Sequence, residues 1–341
     1  MFRQKTTFVI GAGASKEARL PIGSELAVSI SRLLHFKFER FAHEPSTGDQ
    51  TFFHAMRIRL KEHYTINEYL RVAEQMSEGV PLAKSIDSYI DNHRDDDKVA
   101  ALGKAAIAYS LLKAERDSDL WLDPGARTAK TPLQKLQSSW YFSFGRQLTE
   151  QVPKSELKSL FDNVSIICFN YDRCIEEFLK YWLHALYAID LNEAERVVKT
   201  LNIIRPYGKI ADLSTVAYGN STALPHIFHH SQNINTFSEQ VSDEALQASI
   251  GRAMTEAQTI IFLGFGFHPP NMEILRGNKK WQANRILASA HSYSHSDAMD
   301  IKNQLISLTW SRGRPPLVDV DNNCTCARLF SEYSRALNSP T

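Results

Sequence analysis

Residues 6–17 constrain this chain most. Thr6, Thr7, Phe8, Val9 and Ile10 form an apolar, β-branched run of the kind that fills a parallel strand buried on both faces. Gly11 and Gly13 turn the chain directly after it, and helix-forming residues follow. Strand, glycine turn and helix in that order make a phosphate cradle. Glycine lets the backbone approach a diphosphate closely, and the N–H groups at the start of the next helix attract the anion. The same order also describes a strand-to-helix turn without any ligand, and this stretch alone leaves both readings open. The dehydrogenase fingerprint places a third glycine three residues after the second. Lys16 stands there, which argues against an ordinary dehydrogenase.

The rest of the chain alternates in the same way. Further strands are expected at 164–169, at 202–208 as a short strand with a turn, at 259–267 ending in a second glycine pair, and at 284–289. Helical spacing runs over 22–34, 82–90, 99–114, 132–150, 173–186, 193–200, 243–255 and 297–308. Thr65 with Glu68 three residues on reads as a capping box opening a helix over 68–75. Alternating strands and helices imply an α/β fold, a Rossmann-like parallel sheet with helices on both faces and an inserted helical subdomain. The expected boundaries are a nucleotide-binding core over 1–50 and 151–312, the insertion over 51–150, and a polar C-terminal tail over 313–341. Ligands in such sheets bind beyond the carboxyl ends of the strands. Gly11 and Gly13, then Asn170 to Asp172, then Gly264 and Gly266 all fall at such ends, which predicts one shared nucleotide cleft.

Composition excludes several alternatives. Lys and Arg number 39 against 38 Asp and Glu, so no net field invites nucleic acid or an anionic membrane. No apolar run approaches the ~18 residues of a membrane span. The first residues lead straight into a strand, so a cytoplasmic protein without a signal peptide is expected. The four cysteines, Cys168, Cys174, Cys324 and Cys326, lack the paired spacing of a zinc ribbon. They are expected as reduced thiols, with no bound metal. His229 and His230 have no third ligand at matching spacing.

Three motifs carry a resemblance. Gly11, Ala12, Gly13, Ala14 and Ser15 are followed by Leu20, Pro21 and Gly23; Phe169, Asn170, Tyr171 and Asp172 come next; Gly264, Phe265, Gly266, Phe267 and Asn271 come last. In this order they resemble the sirtuin-like NAD-binding family, in its prokaryotic antiphage-defence NADase branch. The zinc-containing deacylases are the wrong branch, because their four-cysteine module is missing. The resemblance implies that the helical insertion covers the nucleotide cleft. It implies NAD as substrate, cleaved to nicotinamide and ADP-ribose. Gly11 to Ser15 and Pro21 would then hold the cofactor, with the 264–267 segment and Asn271 against the adenosine half. Asn170 would position water or a ribose hydroxyl, and Asp172 would bond the nicotinamide amide or ribose. Taken by themselves, Asn170 and Asp172 also read as strand-end residues capping the next helix.

The family also carries a histidine before a glycine as general base, and here Tyr207 precedes Gly208. A phenol with a pKa of about 10 is a poor base at neutral pH. Three readings stay open: Tyr207 only bonds the ribose, His226 or His268 enters the cleft, or the chain binds the nucleotide without cleaving it. Proteins of this branch often carry their own sensor domain. Little chain remains for one here, so a homo-oligomer, a separate activator of the ATPase or Argonaute type, or both are expected as partners.

Overall fold

The computed structural model describes residues 2–60, 66–123, 131–235, 239, 243–291, 293–309 and 315–338. Six strands form one parallel sheet: β1 Thr6–Ile10, β2 Val164–Cys168, β3 Asn202–Ile204, β4 Thr259–Leu263, β5 Arg285–Ser289 and β6 Leu317–Asp321. Their order is β3-β2-β1-β4-β5-β6. The chain walks outward from β1 to β3, returns across the centre and walks out again from β4 to β6. The direction reverses between β1 and β4, and the crevice at that reversal is where α/β sheets bind ligands. Ile10 pairs in register with Cys168 on one side and Leu263 on the other. Gly11, Phe169 and Gly264 therefore leave the sheet side by side.

Side chains of β1 alternate between two cores, as the pleat requires. Val9, Ile167 and Phe262 belong to one, and Phe8, Ile10, Ile166 and Leu263 to the other. Before β2, the helices of seven or more residues on the Val9 side are α1 Gly23–Leu34, α2 Gln50–Arg59, α3 Ile66–Gly79, α4 Ile86–Asn92 and α5 Asp97–Asp117. Each buries a stripe at helical spacing, for example Leu26, Ile30, Leu33 and Leu34 of α1. Their starts are capped locally: Asp49 accepts from Phe52 N (3.0 Å) and Ser85 from Ser88 N (3.1 Å). Helices α6 Trp140–Thr149, α7 Cys174–Tyr187 and α8 Leu191–Val198 pack on the Phe8 side. The later helices are α9 Glu244–Glu256, α10 Pro269–Arg276, α11 His295–Leu308 and α12 Cys326–Glu332. Thr65 of the expected capping box lies outside the described residues, and α3 begins at Ile66. Among the described residues no helix is long and apolar enough to cross a membrane. All four cysteines are free and buried.

The helices of the expected insertion over 51–150 divide between the two faces of the sheet. Helices α2 to α5 pack with α1 on the Val9 side, whereas Trp140 and Phe144 of α6 join Phe8, Phe178 and Phe330 on the opposite side. Helical periodicity says which stripe is buried but not against which face of a sheet. Within the expected C-terminal tail, β6 pairs with β5 from Leu317 opposite Arg285 to Asp321 opposite Ser289. Aspartates alternate with Val318 and Val320 there, the pattern of an edge strand buried on one face. Helix α12 then packs Phe330 against Phe8 at a ring distance of 6.4 Å.

Candidate functional site at the sheet's carboxyl edge

After β1 the chain makes a single helical turn, Ala12–Ser15, then a tight turn over Lys16–Ala18 that ends with Arg19 in a left-handed conformation. The glycines here serve contact between loops. A Cβ on Gly11 would stand 2.5 Å from the Gly264 carbonyl oxygen, and one on Gly264, at φ +55°, would stand 2.1 Å from Ala14 N. The two glycine loops thus interlock backbone to backbone. Gly11 N donates to Leu263 O, Gly13 N to Gly264 O and Ala14 N to Gly11 O, each at 3.0 Å. Three N–H groups that the cradle reading offers to a diphosphate are therefore turned to protein carbonyls. The helix that should have supplied the anion's dipole is one turn long. In this closed arrangement the segment acts as an interlock.

The loop is braced from far along the chain. The Glu17 carboxylate accepts from Trp140 N (2.7 Å) and Ala327 N (2.9 Å), while Trp140 Nε1 donates to Ala14 O (2.9 Å). Burial pushes the Glu17 carboxyl above its usual range, and the hydrogen bonds it accepts pull the other way.

Asn170 and Asp172 follow β2, and both are more than nine-tenths buried. Asn170 Nδ2 donates to Gly11 O (2.9 Å) and to Ser15 Oγ (2.8 Å). Ser15 Oγ donates to Asp172 Oδ2 (2.6 Å), and Asp172 Oδ1 accepts from Cys174 N (3.1 Å) at the start of α7. The capping role read from the sequence for Asp172 is therefore real, and it coexists with the bond to Ser15. Asn170 does not cap; both its N–H groups are spent on the first loop. Its Oδ1 accepts no hydrogen bond among the described residues. A neutral, immobilised amide oxygen at this junction can accept from a water or a sugar hydroxyl.

Four residues that shape this loop had no signal in the sequence. Arg205 Nη1 donates to the carbonyls of Asn170 (2.8 Å) and Asp172 (2.9 Å), and its Nη2 pairs with Glu176 at 2.7 Å. Although burial raises it, Arg205 and Lys209 hold the Glu176 carboxyl below its usual range. Arg173 and Glu115 form a fully buried ion pair, 2.5 Å between Nη2 and Oε2, that ties α5 to the same loop.

Tyr207 Oη donates to Asn271 Oδ1 (2.7 Å), so the junction unites two more expected residues. Burial, with Asp87 and Asp91 nearby, pushes the phenol well above its ordinary range. With its proton also given to Asn271, the phenol is a poor base. His226 and His268 are both exposed, His268 lying against Gly266, so neither sits inside the junction. Of the three readings for the missing base, entry of a histidine finds no support in this arrangement. Tyr171 hydrogen-bonds Asp87, which ties α4 to the loop.

Aromatic rings fill the middle of the junction. Phe169 meets Phe265 at 5.0 Å and Tyr207 at 5.9 Å, and Phe265 meets Phe267 at 5.1 Å. The Phe265 and Phe267 rings are therefore core. Gly264, Gly266, Ala12, Gly13 and Asn271 are half-buried at the rim. Pro21 stands apart: it lines a cavity of about 740 Å³ between α1 and α5, with Lys16, Arg32, Tyr109 and Lys113, and none of Asn170, Asp172 or Tyr207. Among the described residues one trio, Asp321, Cys324 and Glu332, gathers possible metal-ligand atoms within 4.8 Å. Glu332 there is paired with Arg328 at 2.5 Å.

No protein-family model matches the chain. No curated protein matches it.

Proposed function

We propose that the chain is an NAD glycohydrolase that splits NAD and water into nicotinamide and ADP-ribose. The observation that carries this reading is the Asn170 amide, pinned through both N–H groups between Gly11 and Ser15 with its oxygen left as an acceptor. The bond to be broken leads through an oxocarbenium-like state. A neutral acceptor that holds water or a ribose hydroxyl beside the anomeric carbon assists that step by position, without needing a base. The three motifs resemble those of the sirtuin-like NADases, and they meet where a parallel sheet of this order binds ligands. Cleavage needs the ring-filled junction to open, which suits an effector held off until an activator or self-assembly acts. Depletion of NAD in the cytoplasm as antiphage defence belongs to the same proposal.

The test is nicotinamide release from NAD by the purified chain, beside Asn170→Ala. Removing one preorganised polar group of this kind costs roughly 10²–10³ in rate. Equal release by both proteins would refute the role of Asn170.

A second reading is a scaffold that binds NAD or ADP-ribose without cleaving it. It is favoured by Tyr207, whose proton is locked toward Asn271 where the family carries its base. Tight binding of NAD with no release, with or without the activator, would decide for it.

A further inference from the structure

We infer that Asp172 is a positioning residue, acting through Ser15 to set which end of the Asn170 amide faces the junction; this rests on the proposed role of Asn170. The argument follows hydrogens along a buried chain. A carboxylate only accepts. The single Ser15 hydroxyl hydrogen must therefore go to Asp172 Oδ2, 2.6 Å away. That leaves a Ser15 lone pair for Asn170, which can fill it only with Nδ2–H, at 2.8 Å. The second Nδ2–H goes to the Gly11 carbonyl at 2.9 Å, another group that only accepts. Every bond thus runs one way, from Asn170 to Ser15 to Asp172, and Oδ1 is forced to the remaining side.

Burial makes this direction binding. Ser15, Asn170 and Asp172 are 3%, 7% and 5% exposed, so bulk water does not offer substitute partners. The other Asp172 oxygen is fixed by Cys174 N at 3.1 Å, and Arg205 holds the carbonyls of both Asn170 and Asp172. The carboxylate therefore cannot swing toward a ligand without breaking its cap on α7. Ser15 and Asp172, read from the sequence as cofactor-binding and catalytic, become a relay behind the catalytic amide.

Asp172→Asn is the decisive change. It keeps the shape and the Oδ1 cap, but its amide can donate to Ser15 Oγ. The hydroxyl hydrogen is then free to point at Asn170, whose amide can turn and present Nδ2 in place of Oδ1. For nicotinamide release we expect kcat to fall about 100-fold in Asp172→Asn with KM within about threefold. Ser15→Ala should lose about tenfold, since Gly11 still holds one N–H, and Ser15→Thr should restore most of it. In an Asn170→Ala background, Asp172→Asn should add nothing, because residues acting through one another are not additive. Independent losses that multiply would overturn the relay and return Asp172 to direct contact with substrate.

A second readout works whether or not NAD is cleaved. The paired Nδ2–H signals of Asn170 in a ¹H–¹⁵N spectrum, assigned by their absence from Asn170→Ala, should be slow to exchange. They should shift and exchange faster in Asp172→Asn and Ser15→Ala but not in Ser15→Thr. Signals unchanged in Asp172→Asn would refute the relay. Silence of wild type in the NAD assay would count against the proposed activity alone.

Discussion

Gly264→Ala tests the interlock of the two glycine loops directly. The new methyl would meet Ala14 N at 2.1 Å, Gly13 C at 2.3 Å and Gly13 Cα at 2.6 Å, all of them backbone atoms that no rotamer can move. The residue also sits at φ +55°, in the left-handed region. Left-handed backbone costs a residue with a Cβ about 1–2 kcal/mol, and forced overlap in a packed region typically another 1–3 kcal/mol. The expected loss is therefore about 2–5 kcal/mol. Gly251→Ala is the matched control. Nothing lies within 4 Å of its added Cβ, in the interior of α9. There the change should stabilise the protein by up to about 1 kcal/mol through helix propensity. Urea denaturation followed by circular dichroism reads both, with unchanged m-values showing that the unfolded states are comparable. A Gly264→Ala protein within about 1 kcal/mol of wild type would mean that the two loops do not touch as described.

Three other outcomes follow from the geometry. Glu115→Ala strands the Arg173 guanidinium, fully buried in the native protein, and should cost about 3–5 kcal/mol in the same denaturation experiment; a cost below 1 kcal/mol would show that water reaches the pair. Glu176 has its folded pKa lowered from an ordinary 4.5, chiefly by Arg205 and Lys209 working against burial. Its contribution is thus present above pH 4.5 and lost as pH falls through the folded value. The stability gap between wild type and Glu176→Gln should accordingly shrink as pH drops below 4.5, and a gap that widened there would refute the assignment. Tyr207→Phe removes one hydrogen bond, to Asn271, and should cost about 1 kcal/mol. Nicotinamide release should stay within about threefold of wild type, and a 100-fold loss would make the phenol a participant in the chemistry.

The central strands were plain in the sequence because β1 and β4 are buried along their whole length and read as continuous apolar runs. Strand β6 was missed because it lies at the edge, where Asp319 and Asp321 face outward between the valines. The meeting of the Gly11, Asn170 and Gly264 loops was also legible, since order along the chain and the parallel topology together force them to one edge. Hydrogen-bond direction was not. Nothing local marks Ser15 as the partner of residues more than 150 positions away, or Arg205 as the clamp on Asn170. The glycine turn shows the other limit of reading from sequence. A glycine needed for a neighbouring loop and a glycine needed for a phosphate look the same until the neighbour is known.

Placing β1 at the middle of the sheet has a consequence for how the protein is made. It precedes both of its flanking partners along the chain, and they begin only at residues 164 and 259. Its loop is finished by N–H groups of residues 140 and 327. A growing chain therefore carries this buried strand with one edge open until residue 164 and the other until residue 259, an exposure that favours aggregation and engages chaperones. A chain broken off before the fourth strand would hold the asparagine loop and the Gly11 loop but not the Gly264 loop that interlocks with Gly11, so the edge can assemble only after residue 264 has been made.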